Sequence, residues 1–220
     1  MGVNSCHFEQ PRALHSDFKK EYSEAVRFIF KKMRNIALLY IPFNFAYTGV
    51  GPLFSIYAAV SMRLGDMGWC VMCTVPYVLN FALLIPIGLA VGKIGKRKML
   101  LLAVGFLFLF SLIYAIAPLK APFSLLILAL AYTAIVLAYA GYGKAVATLE
   151  ADFIPREKRG HVTATLAFVA ALAGATGQAL GGFEYNLINP PFPFVVLTVF
   201  MALSFVAILF RIKEPKTSEQ

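Results

Sequence analysis

The feature that most limits what this chain can fold into is the alternation of long apolar runs with short clusters of Lys and Arg. A bilayer core about 30 Å thick takes ~20 apolar residues of helix to cross. Six stretches qualify: Ile36–Val60, Trp69–Val91, Met99–Ala117, Phe123–Leu149, Val162–Phe183 and Phe192–Ile212. Of the 20 Lys and Arg, only Arg63 and Lys120 fall in the first, third and fifth loops. Arg12, Lys19, Lys20, Arg27, Lys31, Lys32 and Arg34 precede the first span. Lys93, Lys96, Arg97 and Lys98 fill the second loop, and Arg156, Lys158 and Arg159 the fourth. Arg211, Lys213 and Lys216 close the chain, and Lys144 lies within the fourth span. Short loops rich in Lys and Arg stay cytoplasmic. Lipid offers a backbone no hydrogen-bond partners, so the spans must be helical. The expectation is an all-α, polytopic plasma-membrane protein with six transmembrane helices and both termini cytoplasmic. Residues 1–35 form a cytoplasmic leader, 36–212 the six-helix bundle and 213–220 a cytoplasmic tail.

The chain is 60% hydrophobic and 14% charged, too little charge for a soluble domain of this length. Its net charge of +9 does not point to nucleic acid, because the cations flank apolar spans. Membrane lipid with anionic headgroups is the partner that distribution fits. No signal peptide is evident. Three cysteines make no disulfide framework. Cys70 and Cys73 form a C-x-x-C at the outer end of the second span, read as small apolar residues rather than redox or metal ligands. Cys6 and His7 sit in a polar leader and suggest nothing alone. No metal ligand cluster and no cofactor are implied.

Phe18, Tyr22, Ala25, Ile29 and Met33 recur at helical spacing between basic residues. They predict a basic amphipathic helix on the inner headgroup layer, with a calmodulin-type target as the alternative. Pro42 and Pro52 in the first span, and Pro76 and Pro86 in the second, free carbonyls that must be kept from lipid. The third and sixth spans carry few polar side chains and are expected to be the lipid-facing helices. In the fifth, Ala173, Gly177 and Gly181 form a small-xxx-small ridge, which serves packing within the bundle, a subunit contact, or both. No acid lies in the middle of a span, so the carboxylates that usually mark ion pathways are missing there.

Two loops carry the most specific sequence. One runs from Gly88 through Gly92, Lys93, Gly95, Lys96 and Arg97 to Lys98; the other runs from Glu150 and Asp152 through Pro155 to Arg159 and Gly160. In the major facilitator superfamily of secondary transporters, the first resembles the G-x-x-x-D-R-x-G-R-R-K signature between helices two and three of a half. The second resembles that family's acid-x-x-P-x-x-x-R-G turn between helices four and five. Gly174, Gly177, Gly181 and Gly182 are similar to its G-x-x-G-P-x-x-G-G run in helix five. Together they cover about one six-helix half, residues 20–215, and look like a C-terminal half. Gly92 stands where the signature has Asp, and Gln178 where helix five has Pro. The family's cytoplasmic charge relay is thereby reduced to Lys96 facing Glu150 or Asp152, with Arg159 beside them. The alternative is a basic loop that only fixes topology.

The resemblance implies that helices one and four line the cavity, two and five meet the other half, and three and six face lipid. Candidate substrate-binding residues are Asn44, Tyr47 and Thr48 in the first span, and Tyr132, Tyr139 and Lys144 in the fourth. Asn44, Thr48, Gly51 and Ser55 make a polar or small stripe; Tyr132 and Tyr139 share a face two turns apart. The tyrosine hydroxyls need partners at that depth, which substrate, water or a neighbouring helix can supply. Lys144 either snorkels to the headgroups or meets substrate at the inner mouth. The implied function is secondary transport of a small organic solute by alternating access. One half supplies one wall, so a homodimer or a partner half-transporter completes it. A non-transporting membrane subunit, or a truncated fragment of a larger transporter, is the alternative. An intramembrane enzyme is the least expected class.

Overall fold

A computed structural model describes residues 11–61, 63, 65–116 and 124–212. Helix α1 (Pro11–Lys32) leads into α2 (Arg34–Ile56), which ends in a π-helical turn at Tyr57–Ser61. Then follow α3 (Gly65–Ile94), α4 (Lys96–Ile116), α5 (Ser124–Phe153), α6 (Arg159–Leu187) and α7 (Phe192–Arg211). Six of these, α2 to α7, are long and apolar enough to cross a membrane. Each encloses or closely matches one of the six expected spans. Several extend a turn further, because hydropathy marks the lipid core whereas hydrogen bonding carries the helix into the headgroups. Cys6, His7 and the tail from Lys213 lie outside the described residues, as does Lys120 in the third loop.

The turns at the basic end show why those loops have their sequences. Gly95 separates α3 from α4 at φ 94°, a conformation that a Cβ would strain. Pro155 cannot donate into a helix, and a single 3-10 turn, Arg156–Lys158, joins α5 to α6. The Arg159 guanidinium donates to the Ala151 carbonyl at 3.0 Å, pinning the start of α6 to the end of α5.

The bundle packs α2 against α6 and α7, α4 against α5 and α7, and α3 against α5. Phe43, Leu100, Leu107, Leu128, Ile135 and Phe194 are fully buried at its centre. Polar side chains inside it act as glue. Ser111 on α4 and Thr198 on α7 bring their hydroxyls to 3.0 Å, and the Tyr114 hydroxyl donates to the Leu128 carbonyl at 2.9 Å. In a membrane such contacts contribute on the order of 0.6 kcal/mol each.

Two expectations change. The apolar stripe of α1 does not simply rest on headgroups: Ala25, Ile29 and Met33 are buried, and α1 packs on α6. Glu21 with His161 and Glu24 with Lys158, each at 3.4 Å, hold it there. The fifth-span ridge does not await a partner subunit. Gly177 and Gly181 are buried against α2, where a Cβ on Gly181 would come within 2.8 Å of the Gly49 carbonyl oxygen. The packing reading of the ridge therefore holds within one chain, and the subunit-contact reading loses its surface.

The third and sixth spans, α4 and α7, each bury their polar groups inward and turn an apolar face out. Helix α3 is more exposed than either: 6% of its most apolar stretch is buried, against 33% for α4 and 39% for α7.

Candidate functional site

Phe43 and Tyr47 lie one turn apart on the side of α2 that meets α5, and both rings stack. The Tyr47 ring lies 4.2 Å from that of Tyr139 on α5, with an interplanar angle of 4°. Phe43 stacks on Tyr142 at 3.6 Å. Tyr132, two turns before Tyr139 on α5, packs against Trp69 of α3 and Phe54 of α2. The Cys73 thiol donates to its hydroxyl at 3.8 Å, a weak sulfur hydrogen bond. Tyr77, one turn along α3, lies near Tyr47, Tyr132 and Tyr139. Three helices thus gather four tyrosines. Tyr77 and Tyr139 are exposed, so the cluster opens outward rather than being sealed in the core. Beside it, Cys73, Thr74, Tyr77, Val78 and Phe81 line a groove of about 460 Å³ along α3.

The expected substrate-binding residues divide. Tyr47, Tyr132 and Tyr139 come together. Asn44 is half-buried on α2, and its amide is tied to the Tyr40 carbonyl at 2.8 Å. Thr48 faces α6, where a Cβ on Gly174 would meet the Thr48 Cβ at 3.1 Å. Ser55 donates to the Pro52 carbonyl at 2.7 Å. The polar stripe read along α2 is therefore absorbed largely by local bonds and packing. Lys144 is exposed, five residues beyond Tyr139. That spacing turns it about 140° around α5, off the tyrosine face.

Tyr77 and Asn80 on α3 escaped sequence reasoning, and Cys73 beside them was read only as a small apolar residue. They recur at helical spacing, and Asn80 lies among Val78, Leu79, Phe81 and Ala82. A carboxamide at that depth is costly unless satisfied, and that was the available signal. The Asn80 Oδ1 and the Tyr142 hydroxyl are buried without a hydrogen-bond partner among the described residues.

At the basic end of the bundle, Lys96 at the start of α4 forms an ion pair with Asp152 near the end of α5. Both side chains are about one-third exposed, 30% and 33%. Glu150 is half-buried one turn from Ile154, and Arg159 is held by the Ala151 carbonyl. Of the two acids expected opposite Lys96, Asp152 takes the contact. The Arg97 guanidinium also donates to the Leu209 carbonyl at 2.7 Å, so the first turn of α4 is fastened to both α5 and α7.

No curated protein and no solved structure matches the chain significantly. A family profile described as Major Facilitator Superfamily matches residues 36–220, which takes in all six membrane-length helices. Together with six membrane-length helices and the motifs at Gly95, Asp152 and Gly177, that match means the chain belongs to the Major Facilitator Superfamily of membrane transporters.

Proposed function

We propose that this chain forms one six-helix half of a secondary transporter that moves a small organic solute by alternating access. In that mechanism two repeats rock about a site between them. The observation that carries the reading is the tyrosine cluster: Tyr47, Tyr77, Tyr132 and Tyr139 join three helices and open on the exposed side of α3. The hydroxyls and flat ring faces suit a solute with hydrogen-bonding groups and a planar or apolar body. A wall made by one half encloses nothing. The second wall comes from another six-helix half, whether a second copy, a separate chain or a continuous segment.

The Lys96–Asp152 pair acts as a latch on the cytoplasmic face, holding α4 to α5 within the half in one of its two conformations. The charge pattern supports a plasma-membrane location with both termini cytoplasmic. No carboxylate among the expected site residues lies with the tyrosines, which favours facilitated diffusion or coupling through groups on the other half. The alternative role, a non-transporting subunit, would leave the tyrosine cluster without a ligand.

Uptake in proteoliposomes tests the proposal. Vesicles holding the chain in paired form should accumulate a solute found by thermal-shift screening, and Tyr139→Ala should abolish that uptake. Binding and uptake unchanged by Tyr139→Ala and Tyr47→Ala would overturn the site. A pure, paired chain that binds no solute would favour the non-transporting role.

A further inference from the structure

A cavity of about 480 Å³ opens at the basic end, between the α1–α2 junction and the ends of α5 and α7. It lies apart from the tyrosine cluster and shares none of its residues. Lys32, Arg34 and Arg211 line it, and among the described residues no acid does. Three acids at this end are engaged elsewhere, Asp152 with Lys96, Glu24 with Lys158 and Glu21 with His161, and Glu150 and Glu157 do not line the cavity. The Asn35 amide donates to the Arg211 carbonyl at 3.2 Å, so α2 and α7 are fixed relative to each other where the two arginines emerge. Beneath the cations the floor is apolar, made by buried Ile36, Leu149 and Ile212.

Three cations around an apolar floor repel one another unless an anion joins them. Arginine forks match phosphate oxygens in pairs. The rim indicates which kind of phosphate fits. Phe153 and Phe210 edge the cavity, and Phe210 is 79% exposed. From Phe210 an exposed apolar stripe continues along one face of α7 through Val206, Leu203 and Val199. A free anion has no use for that track, whereas an acyl chain does.

We infer that this cavity binds one anionic phospholipid, its phosphate held by Arg34, Arg211 and Lys32 and an acyl chain laid along the Val199–Phe210 face of α7. Basic pockets between membrane helices are suited to such headgroups. The bound lipid would tie the entry of the first span to the end of the last.

Native mass spectrometry of the full chain, released from nanodiscs of equal phosphatidylglycerol and phosphatidylcholine, tests this. One phosphatidylglycerol should be retained in preference to phosphatidylcholine. The double variant Arg34→Gln/Arg211→Gln should weaken that retention roughly 30-fold, as expected for two lost cations. Arg34→Lys/Arg211→Lys should keep more of the lipid than the Gln pair. Lys93→Gln/Lys98→Gln, which removes as much charge from the same end, should change nothing. Equal retention of the two lipids, equal loss in the Lys93/Lys98 control, or equal loss in the Lys and Gln variants would overturn the inference. Displacement of the lipid by millimolar inorganic phosphate would equally overturn it, by assigning the cavity to a free anion.

Discussion

Gly177 lies so close to Phe45 that a Cβ on the glycine would overlap the Phe45 carbonyl oxygen. It is the tightest of the glycine contacts between α6 and α2, and Gly49, Gly174 and Gly181 extend the approach over two turns. Two helices in lipid gain little from apolar burial, so backbone proximity carries the association. Gly177→Ala should therefore destabilise the bundle by about 1–3 kcal/mol through overpacking. Gly182→Ala is the matched control. Its Cβ would meet nothing within 4 Å, and the change should be neutral or slightly stabilising. Thermal unfolding in detergent, followed by fluorescence, checks both. Equal loss in the two variants would mean that the α2–α6 approach is not what the glycine serves.

The Lys96–Asp152 pair makes a different kind of prediction. A partly exposed pair contributes ~0–1 kcal/mol to stability. Lys96→Gln and Asp152→Asn should each move the thermal midpoint little. As a latch, however, the pair biases one conformation over the other, and each variant should alter transport rate several-fold. The exchange Lys96→Asp with Asp152→Lys should restore most of the rate. A large stability loss with unchanged transport would make the pair a structural clamp.

Tyr139 separates ring from hydroxyl. Tyr139→Phe keeps the stack on Tyr47 and should leave stability within about 0.5 kcal/mol. It should still weaken solute binding, since the exposed hydroxyl is the group offered for hydrogen bonding. Tyr139→Ala removes the ring as well and should cost a further ~0.5–1.5 kcal/mol for the lost aromatic pair. Isothermal titration alongside thermal unfolding distinguishes these outcomes. Wild-type affinity in Tyr139→Phe would assign the site to ring faces alone.

Much of this architecture was legible in the sequence, because a bilayer imposes length and the cations impose order. The six helices and the turns at Gly95 and Pro155 follow from those constraints. What was not legible is which face of a helix meets which neighbour. Gly177 and Gly181 read equally well as an internal seam or a subunit seam, and only the position of Phe45 and Gly49 decides. Thr48 looked like a site residue because hydroxyls are rare in spans, yet its methyl and hydroxyl pack on Gly174. Tyr77 and Asn80 were overlooked because they sit on a helix whose marked feature was proline. The role of Tyr77 depends on Tyr132 and Tyr139, more than 50 residues away in sequence. No local periodicity reports such a pairing.

With the glycine ridge occupied, the pairing proposed between halves would have to use the opposite side of α6. Phe168, Leu172, Ala175, Ala179 and Phe183 recur at helical spacing there, and all are exposed. On α3, Val71, Val75, Val78, Phe81 and Ile85 are also exposed over much of the helix length. Lipid could cover both faces. Pro76 and Pro86 argue for protein or water beside α3, because they leave carbonyls without helical donors. A two-fold arrangement of two copies would place α3 of one against α6 of the other and repeat the contact by symmetry. Single cysteines at Val78 and Ala175, in a chain whose Cys6, Cys70 and Cys73 are Ser, should crosslink as a heterologous pair between differently tagged copies. Cysteines at Gly177 should not, since that face is buried against α2. Leu172→Arg should abolish the crosslink and leave the monomer folded, because Leu172 is 53% exposed in the isolated half. Full solute uptake by a chain that stays monomeric in native lipid would refute the pairing and the two-walled site that depends on it.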